Sequence, residues 1–318
     1  MKFNLEDPEL KETRQGFADA LVDIGKTNES LVVLGGDVTG SVKTNLFRDA
    51  YPDRFISVGV AEQDMMGTAA GLALVGKIPV ASTYGEFATG RPFDQIRQSI
   101  AYSEMNVKIC ASHCGITVGP DGATHQSFED VGIMRILPNM NVMTPCDYNQ
   151  TYRATHLAIE TPGPFYVRFY REKSPNFTDM KAPFELGKAD TLIEGNDVTL
   201  IANGLLVWEA IVASEKLKKE GIGARVVNMH TVKPIDKDTI IKCAEETGLI
   251  ITCEDHQWTC GLFGAVAEVV VLHCPVKMDH IAINNSFGES GIIASQLMKK
   301  FEIDRDAIYK KVKKLLKK

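Results

Sequence analysis

Short apolar runs rich in valine and isoleucine alternate along this chain with amphipathic segments of helix length. The runs LVVL, IPVAS, VTLIA and LIITC are typical examples. Strands that are apolar along their whole length are expected where helices cover both faces of a sheet. The alternation therefore predicts an α/β fold built from mostly parallel sheets covered by helices.

The segment REKSPNFTDMKAPFELGKAD contains two prolines and mixed charge, and it predicts a linker near the middle of the chain. We place a boundary near residue 185, which gives two consecutive α/β domains, residues 1–185 and 186–318. A chain of 318 residues is long enough for two such domains. The predicted strands are 31–34, 55–58, 78–82, 107–110, 165–168, 198–202, 224–228, 249–253 and 276–283. The predicted helices are 10–27, 63–75, 92–104, 148–159, 207–220, 236–247, 261–272 and 292–299.

The net charge and the cysteines indicate which partners and which cellular location to expect. The net charge of −6 gives no reason to expect nucleic acid or an anionic membrane as a partner. The lysine-rich end KKVKKLLKK has apolar residues at helical spacing and predicts a solvated helix. No leader or membrane span is recognisable, and the seven cysteines form no framework or zinc pattern. We therefore expect free thiols, no metal site and a cytoplasmic location.

One glutamate lies at a predicted strand-to-helix junction. In SVGVAEQDMMGTAAGLALVGKIPVAS the strand ends at Val58, Gly59 forms a turn and Glu62 begins a helix with a face of small residues. The helix dipole alone favours a carboxylate at this position. Taken by itself, Glu62 therefore does not require a function.

Two other segments carry polar and aromatic side chains beside predicted strands. The loop ASHCGITVGPDGATHQSFED places His113, Asp121 and His125 together, and ASTYGEFATGRPFDQIRQS carries Tyr84 and Phe87. A polar glycine-rich loop can be a mere connection, and aromatic residues beside a strand are usually part of the core. Aspartate suits hydroxyl recognition, and histidine donates hydrogen bonds near neutral pH.

Taken together, the glutamate segment and the histidine loop resemble the transketolase family of thiamine-diphosphate enzymes. The sequence FATGR resembles the split form of that family, in which two subunits share the enzyme. CEDHQWTCGLFGAVAEVV and NNSFGESG resemble the carboxyl-terminal domain of the group. The resemblance covers nearly all of this chain but about half of a full transketolase. It implies a pyrimidine-binding domain followed by a transketolase C-terminal domain.

The resemblance assigns Glu62 to the aminopyrimidine ring of the cofactor. In the family, a buried glutamate bonds a ring nitrogen and favours the imino tautomer, which removes the proton from the thiazolium carbon. The chemistry needs a carboxyl group because an amide cannot exchange the proton. The resemblance also implies that Phe87, with Tyr84 as second choice, packs on the pyrimidine and that Asp37 lies near the cofactor.

The same resemblance implies a sugar site. His113, Asp121 and His125 would hold substrate oxygens, with His125 also catalytic. Three further residues would hold the terminal phosphate, namely Arg14, Ser41 and Arg171. Arginine forks and a hydroxyl suit an anion with several acceptor oxygens. Arg91 and Arg168 are further possible anion contacts, and the C-terminal domain is expected to brace the dimer.

Thiamine-diphosphate enzymes bind magnesium and diphosphate through a GDG motif and a downstream asparagine, which are not found here. The resemblance therefore implies an N-terminal partner subunit that carries this motif, and an α2β2 heterotetramer. The implied reaction transfers a two-carbon ketol unit between sugar phosphates, as in pentose phosphate metabolism.

Three alternatives remain open. The chain could be the beta subunit of a 2-oxoacid dehydrogenase, a protein similar to 1-deoxyxylulose-5-phosphate synthase, or a regulatory subunit without activity. The DGATHQ pattern disfavours the first, half length disfavours the second, and the intact Glu62 disfavours the third.

Overall fold

The computed structural model describes residues 3–317. The outermost residues of the two predicted domains, Met1, Lys2 and Lys318, lie outside this range. Helices and parallel strands alternate through both halves of the chain, which confirms the predicted α/β class. No helix within residues 3–317 combines the length and the apolar character needed to cross a membrane.

The strands group into two main sheets and one small ribbon. In chain order they are β1 Leu10–Glu12, β2 Leu31–Gly35, β3 Phe55–Ser57, β4 Ile78–Ser82, β5 Lys108–Ala111, β6 Asn141–Met143, β7 Phe165–Arg168, β8 Lys173–Pro175, β9 Asp190–Ile193, β10 Val198–Ala202, β11 Ala224–Asn228, β12 Thr231–Lys233, β13 Leu249–Gln257 and β14 Lys277–Ile283.

The helices cover these sheets. They are α1 Thr13–Gly25, α2 Thr39–Val42, α3 Asn45–Ala50, α4 Glu62–Leu74, α5 Gly85–Thr89, α6 Phe93–Gln95, α7 Asp130–Arg135, α8 Tyr148–Glu160, α9 Leu206–Lys218, α10 Lys237–Thr247, α11 Leu262–His273, α12 Ala294–Lys300 and α13 Arg305–Leu316. Turns of 3₁₀-helix occur at Pro52–Arg54 and Gly115–Thr124, and a π-helical turn occurs at Ile96–Tyr102.

The first sheet has the strand order β12-β6-β7-β5-β4-β2-β3. The strands from β6 to β3 run parallel, and β12 pairs antiparallel with β6 at one edge. Every residue of β2, β5 and β7 is buried, as expected for strands covered on both faces. The carboxyl ends of the parallel strands share one edge, where open α/β sheets bind their ligands.

The second sheet has the order β14-β13-β10-β11-β9, with only the edge strand β9 antiparallel among the described strands. Its apolar core continues into the first half of the chain, because Ile116 and Phe128 pack in the same cluster as Leu206 and Ile283. The two sheets are therefore joined through a buried apolar contact. The boundary near residue 185 stays a prediction.

Several elements differ from the predicted ones. The helix predicted from residue 10 begins at Thr13, because Leu10–Glu12 pairs with Lys173–Pro175 as a strand. The helix predicted over 92–104 is divided into α6 and a wider π-helical turn at Ile96–Tyr102. Of the lysine-rich end, residues 310–316 form the last part of α13, as the spacing of its apolar residues predicts, and Lys318 lies outside the described residues.

Candidate active site

The predicted site residues follow successive strands of the first sheet. Ser41 lies beyond β2, Glu62 beyond β3, Tyr84 beyond β4, His113 beyond β5 and Arg171 beyond β7. Because these strands are parallel, the loops that carry the five residues leave the sheet at the same edge. Residues far apart in the sequence are thus brought to one side of the sheet.

Four predicted residues form a contiguous cluster of rings. The Tyr84 ring stacks on the His113 imidazole, with centroids 4.0 Å apart and planes inclined by 14°. Phe87 lies nearly parallel to Tyr84 at 6.1 Å, and its ring meets the edge of His125 at 4.9 Å. The aromatic segment and the histidine loop therefore contribute to one surface. Flat rings of this kind can stack on a heterocycle.

Glu62 is the first residue of α4, and its side chain is only 4% exposed. Gly59 makes the turn before it with a φ of +69°, a conformation that glycine adopts readily. Nη1 of Arg91 lies 3.2 Å from each of the two carboxylate oxygens of Glu62. The Arg91 guanidinium carbon also lies 4.0 Å from the centroid of the Phe87 ring. Arg91 therefore links the carboxylate to the aromatic cluster.

The role of Arg91 beside Glu62 was missed by the sequence analysis, which considered Arg91 only as an anion contact. The two residues are 29 positions apart. They meet only because the loops after β3 and β4 leave the same edge of the sheet. Hydrophobic periodicity carries no signal for such a pairing.

His113 is held in an unusual conformation. Its φ is +57°, a left-handed value that a non-glycine residue rarely adopts and that is often found at functional sites. Ser112 Oγ lies 2.9 Å from Nδ1 of the ring. Burial, the largest cause, and the nearby charges of Arg14, Arg171 and His125 together lower the pKa of His113 to about 3. The imidazole is therefore neutral near pH 7 and acts as a hydrogen-bonding group.

Two arginines predicted to hold an anion lie around His113. Arg14 Nη1 donates to the carbonyl oxygen of Ser41 at 2.7 Å, and Arg171 Nη1 donates to the carbonyl oxygen of Val118 at 3.1 Å. Both guanidinium charges lower the pKa of His113, so both lie near its imidazole. Arg171 thus contacts the histidine loop at Val118, while Arg14 contacts Ser41 and also pairs with Glu12 at 3.0 Å. The charges of both arginines favour the neutral form of His113, so the surroundings of this imidazole are positive.

Asp37 and Asp121 make no close contact of this kind with the cluster of rings. Both side chains are exposed, and Asp37 has a φ of +62°. Within residues 3–317, no hydrogen bond or ion pair joins either carboxylate to the cluster of rings. Asp121 lies on the same loop as His113 and His125, and Asp37 lies beyond β2 at the same edge. The cofactor role of Asp37 and the sugar role of Asp121 stay predictions.

Arg168 does not serve as the anion contact that the sequence suggested. Its side chain is 1% exposed and pairs with Asp130 at 2.8 Å and with Asp255 at 2.7 Å. Burial of a guanidinium requires such carboxylate partners. Arg168 therefore joins the two halves of the chain and offers no free face to a ligand.

The described residues do not by themselves provide a metal centre. Across residues 3–317, no group of three or more His, Cys, Asp or Glu side chains is placed to hold a metal ion. What the edge of the sheet provides is a buried carboxylate beside aromatic rings, next to a positive region with hydrogen-bonding groups. This arrangement suits an aromatic heterocycle and an anionic polar ligand.

Comparison with protein families gives two matches along the chain. Residues 10–176 match the family described as "Transketolase, pyrimidine binding domain". Residues 187–308 match the family described as "Transketolase, C-terminal domain". The two matches follow each other in the order of the two sheets.

Individual relatives agree with these matches. A protein of Methanocaldococcus jannaschii named as a transketolase C-terminal section is 45% identical over 311 residues, which are 97% of each chain. The 6-deoxy-6-sulfo-D-fructose transketolase subunit SqwH of a Clostridium species is 40% identical, over 91% of this chain and 88% of that protein. Human transketolase is 37% identical over 96% of this chain, but the match spans only 49% of that protein.

A solved structure shows the same fold. The structure titled "Split gene transketolase, inactive beta4 tetramer" matches with a TM-score of 0.88 and 40% sequence identity. The match covers 96% of this chain and 98% of the solved chain.

Proposed function

The chain belongs to the transketolase family, and from this membership we propose that it is the C-terminal subunit of a split transketolase. The proposed enzyme transfers a two-carbon ketol unit from a ketose phosphate to an aldose phosphate, with thiamine diphosphate and Mg²⁺. It works only after the chain joins an N-terminal subunit, as an α2β2 heterotetramer. We also propose a cytoplasmic location, since all seven cysteines are free thiols.

The observation that carries this proposal is the position of Glu62. A carboxylate that is 4% exposed lies at a helix start and is linked through Arg91 to the ring of Phe87. The chemistry of this set fits an aminopyrimidine, because the ring has an aromatic face to stack and a ring nitrogen to bond. When bound, thiamine diphosphate supplies a carbon that attacks the ketone of the donor sugar.

Each residue then has a defined task toward the cofactor. Glu62 holds the proton that is exchanged with the ring nitrogen, which an amide could not do. Phe87 and Tyr84 pack on the pyrimidine and exclude water from it. Asp37 lies near the cofactor at the end of β2. The diphosphate and Mg²⁺ are bound mainly by the partner subunit, through its GDG motif.

The sugar is held beside this pocket. His113 and His125 hold substrate oxygens through hydrogen bonds from their ring nitrogens, and His125 also acts in catalysis. Asp121 accepts a hydrogen bond from a sugar hydroxyl. The proposed site for the terminal anion consists of Arg14, Ser41 and Arg171. The positive region around His113 supports this assignment, since Arg14 and Arg171 both lower the pKa of His113.

One relative favours a second candidate for the anion. The Clostridium protein, 40% identical, is named for a sulfonated sugar, 6-deoxy-6-sulfo-D-fructose. A sulfonate and a phosphate both offer several acceptor oxygens to the arginine forks. The second candidate function is therefore the same transfer with a sulfonated ketose as donor.

The experiment that tests the proposal is reconstitution with the N-terminal subunit. The purified chain, the partner and the mixture are each assayed for ketol transfer with thiamine diphosphate and Mg²⁺, from a ketose phosphate and from its 6-sulfo counterpart. We expect transfer only in the mixture, and a preference for one donor identifies the anion. Full activity of the chain alone would overturn the split arrangement.

The same mixture separates the enzymatic alternatives. Reduction of a lipoyl domain by a 2-oxoacid, without ketol transfer, would identify a dehydrogenase beta subunit. Condensation of pyruvate with glyceraldehyde 3-phosphate, again without ketol transfer, would identify a 1-deoxyxylulose-5-phosphate synthase activity. Absence of all three activities from a mixture that binds the cofactor would favour the regulatory alternative.

A further inference from the structure

The sequence motif NNSFGESG, which lies between β14 and α12 in the second half of the chain, packs directly on the histidine loop of the first. The backbone N–H of Gly291 donates to the carbonyl oxygen of Gly119 at 3.1 Å. Nε2 of Gln126 donates to the carbonyl oxygen of Glu289 at 3.2 Å. The motif thus contacts the loop on both sides of Asp121 and next to His125.

Glycines allow this contact to be close. A Cβ on Gly122 would lie 2.5 Å from Ser290 Oγ and 3.0 Å from the Ser290 backbone nitrogen. A Cβ on Gly288 would lie 1.7 Å from Oε1 of Gln126. Real Cβ atoms do not approach other atoms so closely. A side chain at either position would therefore force Ser290 or Gln126 to move.

The start and the end of the same loop are held by other groups of the second half. Oδ2 of Asp255 accepts from the backbone N–H of Ile116 at 3.4 Å. Near the end of the loop, the backbone N–H of Gln257 donates to the carbonyl oxygen of Phe128 at 2.8 Å. Contacts to the second half of the chain thus occur at the beginning, in the middle and at the end of the loop.

We propose that residues 288–291 are a positioning element that sets the geometry of the His113, Asp121 and His125 loop for the sugar substrate. This inference rests on the proposed function for the identity of the ligand. Within residues 3–317, no hydrogen bond joins residues 288–291 to the rings of Tyr84, Phe87, His113 and His125. Residues 288–291 act through Gln126, the neighbour of His125, and through the backbone at Gly119. The C-terminal domain thereby has a role in substrate recognition as well as in assembly.

The element should affect the sugar site more than the cofactor site. Glu62, Tyr84 and Phe87 lie on the loops beyond β3 and β4, which the motif does not hold by hydrogen bonds in residues 3–317. A displacement of Gln126 moves His125 first. Small displacements of positioning groups weaken productive binding strongly, by up to about a hundredfold for about 1 Å.

The test compares two glycine-to-alanine variants of the second half in the reconstituted pair. Gly288→Ala places a methyl group against Gln126. Gly264→Ala, on α11, is the control, because the nearest atom to its Cβ would be 3.7 Å away. For Gly288→Ala we expect the KM of the ketose donor to rise about tenfold, with the cofactor activation constant unchanged. Gly264→Ala should change neither.

A double variant shows whether the contact between the new methyl group and Gln126 causes the rise in the donor KM. Gln126→Ala combined with Gly288→Ala removes the atom that the new methyl group meets, so the donor KM should return toward the value of Gln126→Ala alone. An unchanged KM in Gly288→Ala, or a cofactor constant that rises as much as the KM, would overturn the proposal.

Hydrogen–deuterium exchange of the chain gives a readout that does not depend on the reaction. Peptides covering residues 115–127 should exchange faster in Gly288→Ala than in the wild type or in Gly264→Ala. If the wild-type pair transfers no ketol unit, the proposed function fails, and faster exchange still supports the positioning contact. Identical exchange in all three chains would overturn it.

Discussion

The carboxylate of Glu62 has a single close cationic neighbour among the described residues, the guanidinium of Arg91. This guanidinium contacts both oxygens of Glu62 at 3.2 Å and lies 4.0 Å from the centre of the Phe87 ring. The carboxylate and the ring are the two groups that the proposed pocket offers to an aminopyrimidine. We therefore expect the side chain of Arg91, which is 49% exposed, to compete with the proposed cofactor for this position.

Arg91→Ala should consequently strengthen cofactor binding. A pocket that is open for only a fraction of the time has its affinity reduced by that fraction. We expect the cofactor dissociation constant of the pair, measured by calorimetry, to fall by about three- to tenfold. Arg97→Ala, which removes an exposed arginine of the following helical turn, is the control and should have no effect. Weaker binding in Arg91→Ala would show that Arg91 supports the cofactor instead of competing with it.

His113 makes the stability of the chain depend on pH. Its pKa is lowered from 6.5 to about 3 in the folded chain, chiefly by burial and further by nearby positive charges. Between these values the unfolded chain binds a proton that the folded chain does not bind. The free energy of unfolding therefore falls as the pH drops from about 6.5 toward about 3, by about 1.4 kcal/mol for each pH unit in the middle of this range.

His113→Asn should reduce this dependence, since asparagine does not titrate and tolerates a positive φ. Urea unfolding at pH 7.5 and 5.5 measures the effect. The wild type should lose more stability than His113→Asn between the two values. His273→Asn, at an exposed position of α11, should behave as the wild type. Equal losses in wild type and His113→Asn would contradict a buried neutral imidazole.

The loop over Gly115–Thr124 has strict backbone requirements at three glycines. Gly115 has a φ of +58°, and a Cβ there would lie 1.9 Å from Oδ2 of Asp255. Two further glycines of the loop, Gly119 and Gly122, also have positive φ. The glycine spacing of the motif thus reflects backbone geometry and contact with the second half of the chain.

Gly115→Ala should therefore destabilise the chain by about 3 kcal/mol or more, because overlap in a packed site and an unfavourable φ act together. The free energy of unfolding in urea measures the loss. Gly40→Ala in α2 is the matched control, since nothing lies within 4 Å of its Cβ position. A loss in Gly115→Ala no larger than in Gly40→Ala would mean that the loop can move away from Asp255.

The longer elements could be predicted from the sequence, and so could the three-residue strand β3, but the other three-residue strands could not. Strands β2, β4 and β10 coincide with apolar runs, because burial on both faces leaves a clear pattern. Strands β6 and β12 were missed, since three residues carry too little pattern. Their pairing joins positions 143 and 231, and nothing local specifies such a contact.

For the candidate site, the sequence identified several of the side chains but not the pairings between them. The sequence motifs identified the rings and His113 that the structure brings into contact, because each motif lies directly beyond a strand. The contact of Arg91 with Glu62 and the burial of Arg168 depend on which loops face each other. Such tertiary pairings follow from the strand order, which the pattern of a single sequence does not give.

At the scale of the whole molecule, a buried charge network joins the two sheets. Arg168 pairs with Asp130 of the first half and Asp255 of the second, while the hydroxyl of Tyr166 donates to Asp130 at 2.6 Å. Both carboxylates have side chains that are 0% exposed. Buried charges of this kind are tolerated only when they are paired.

Arg168→Met should therefore be costly, because it leaves two buried carboxylates without their cation. We expect the free energy of unfolding to fall by about 3–5 kcal/mol. Lys216→Met removes a cation from the surface pair with Asp306 and should cost less than about 1 kcal/mol. Urea unfolding compares the two variants, and similar losses would mean that the network does not hold the two halves together.

We propose that Glu62 promotes loss of the proton from the thiazolium carbon of thiamine diphosphate in the assembled enzyme. The exchange of this proton for deuterium, followed by NMR in the reconstituted pair, measures that step directly. In Glu62→Gln the exchange rate should fall by about a hundredfold or more, because the amide cannot pass a proton to the ring nitrogen. Asp64→Asn, at an exposed carboxylate on the same helix, should leave the rate unchanged. A rate in Glu62→Gln equal to that of the wild type would contradict the account.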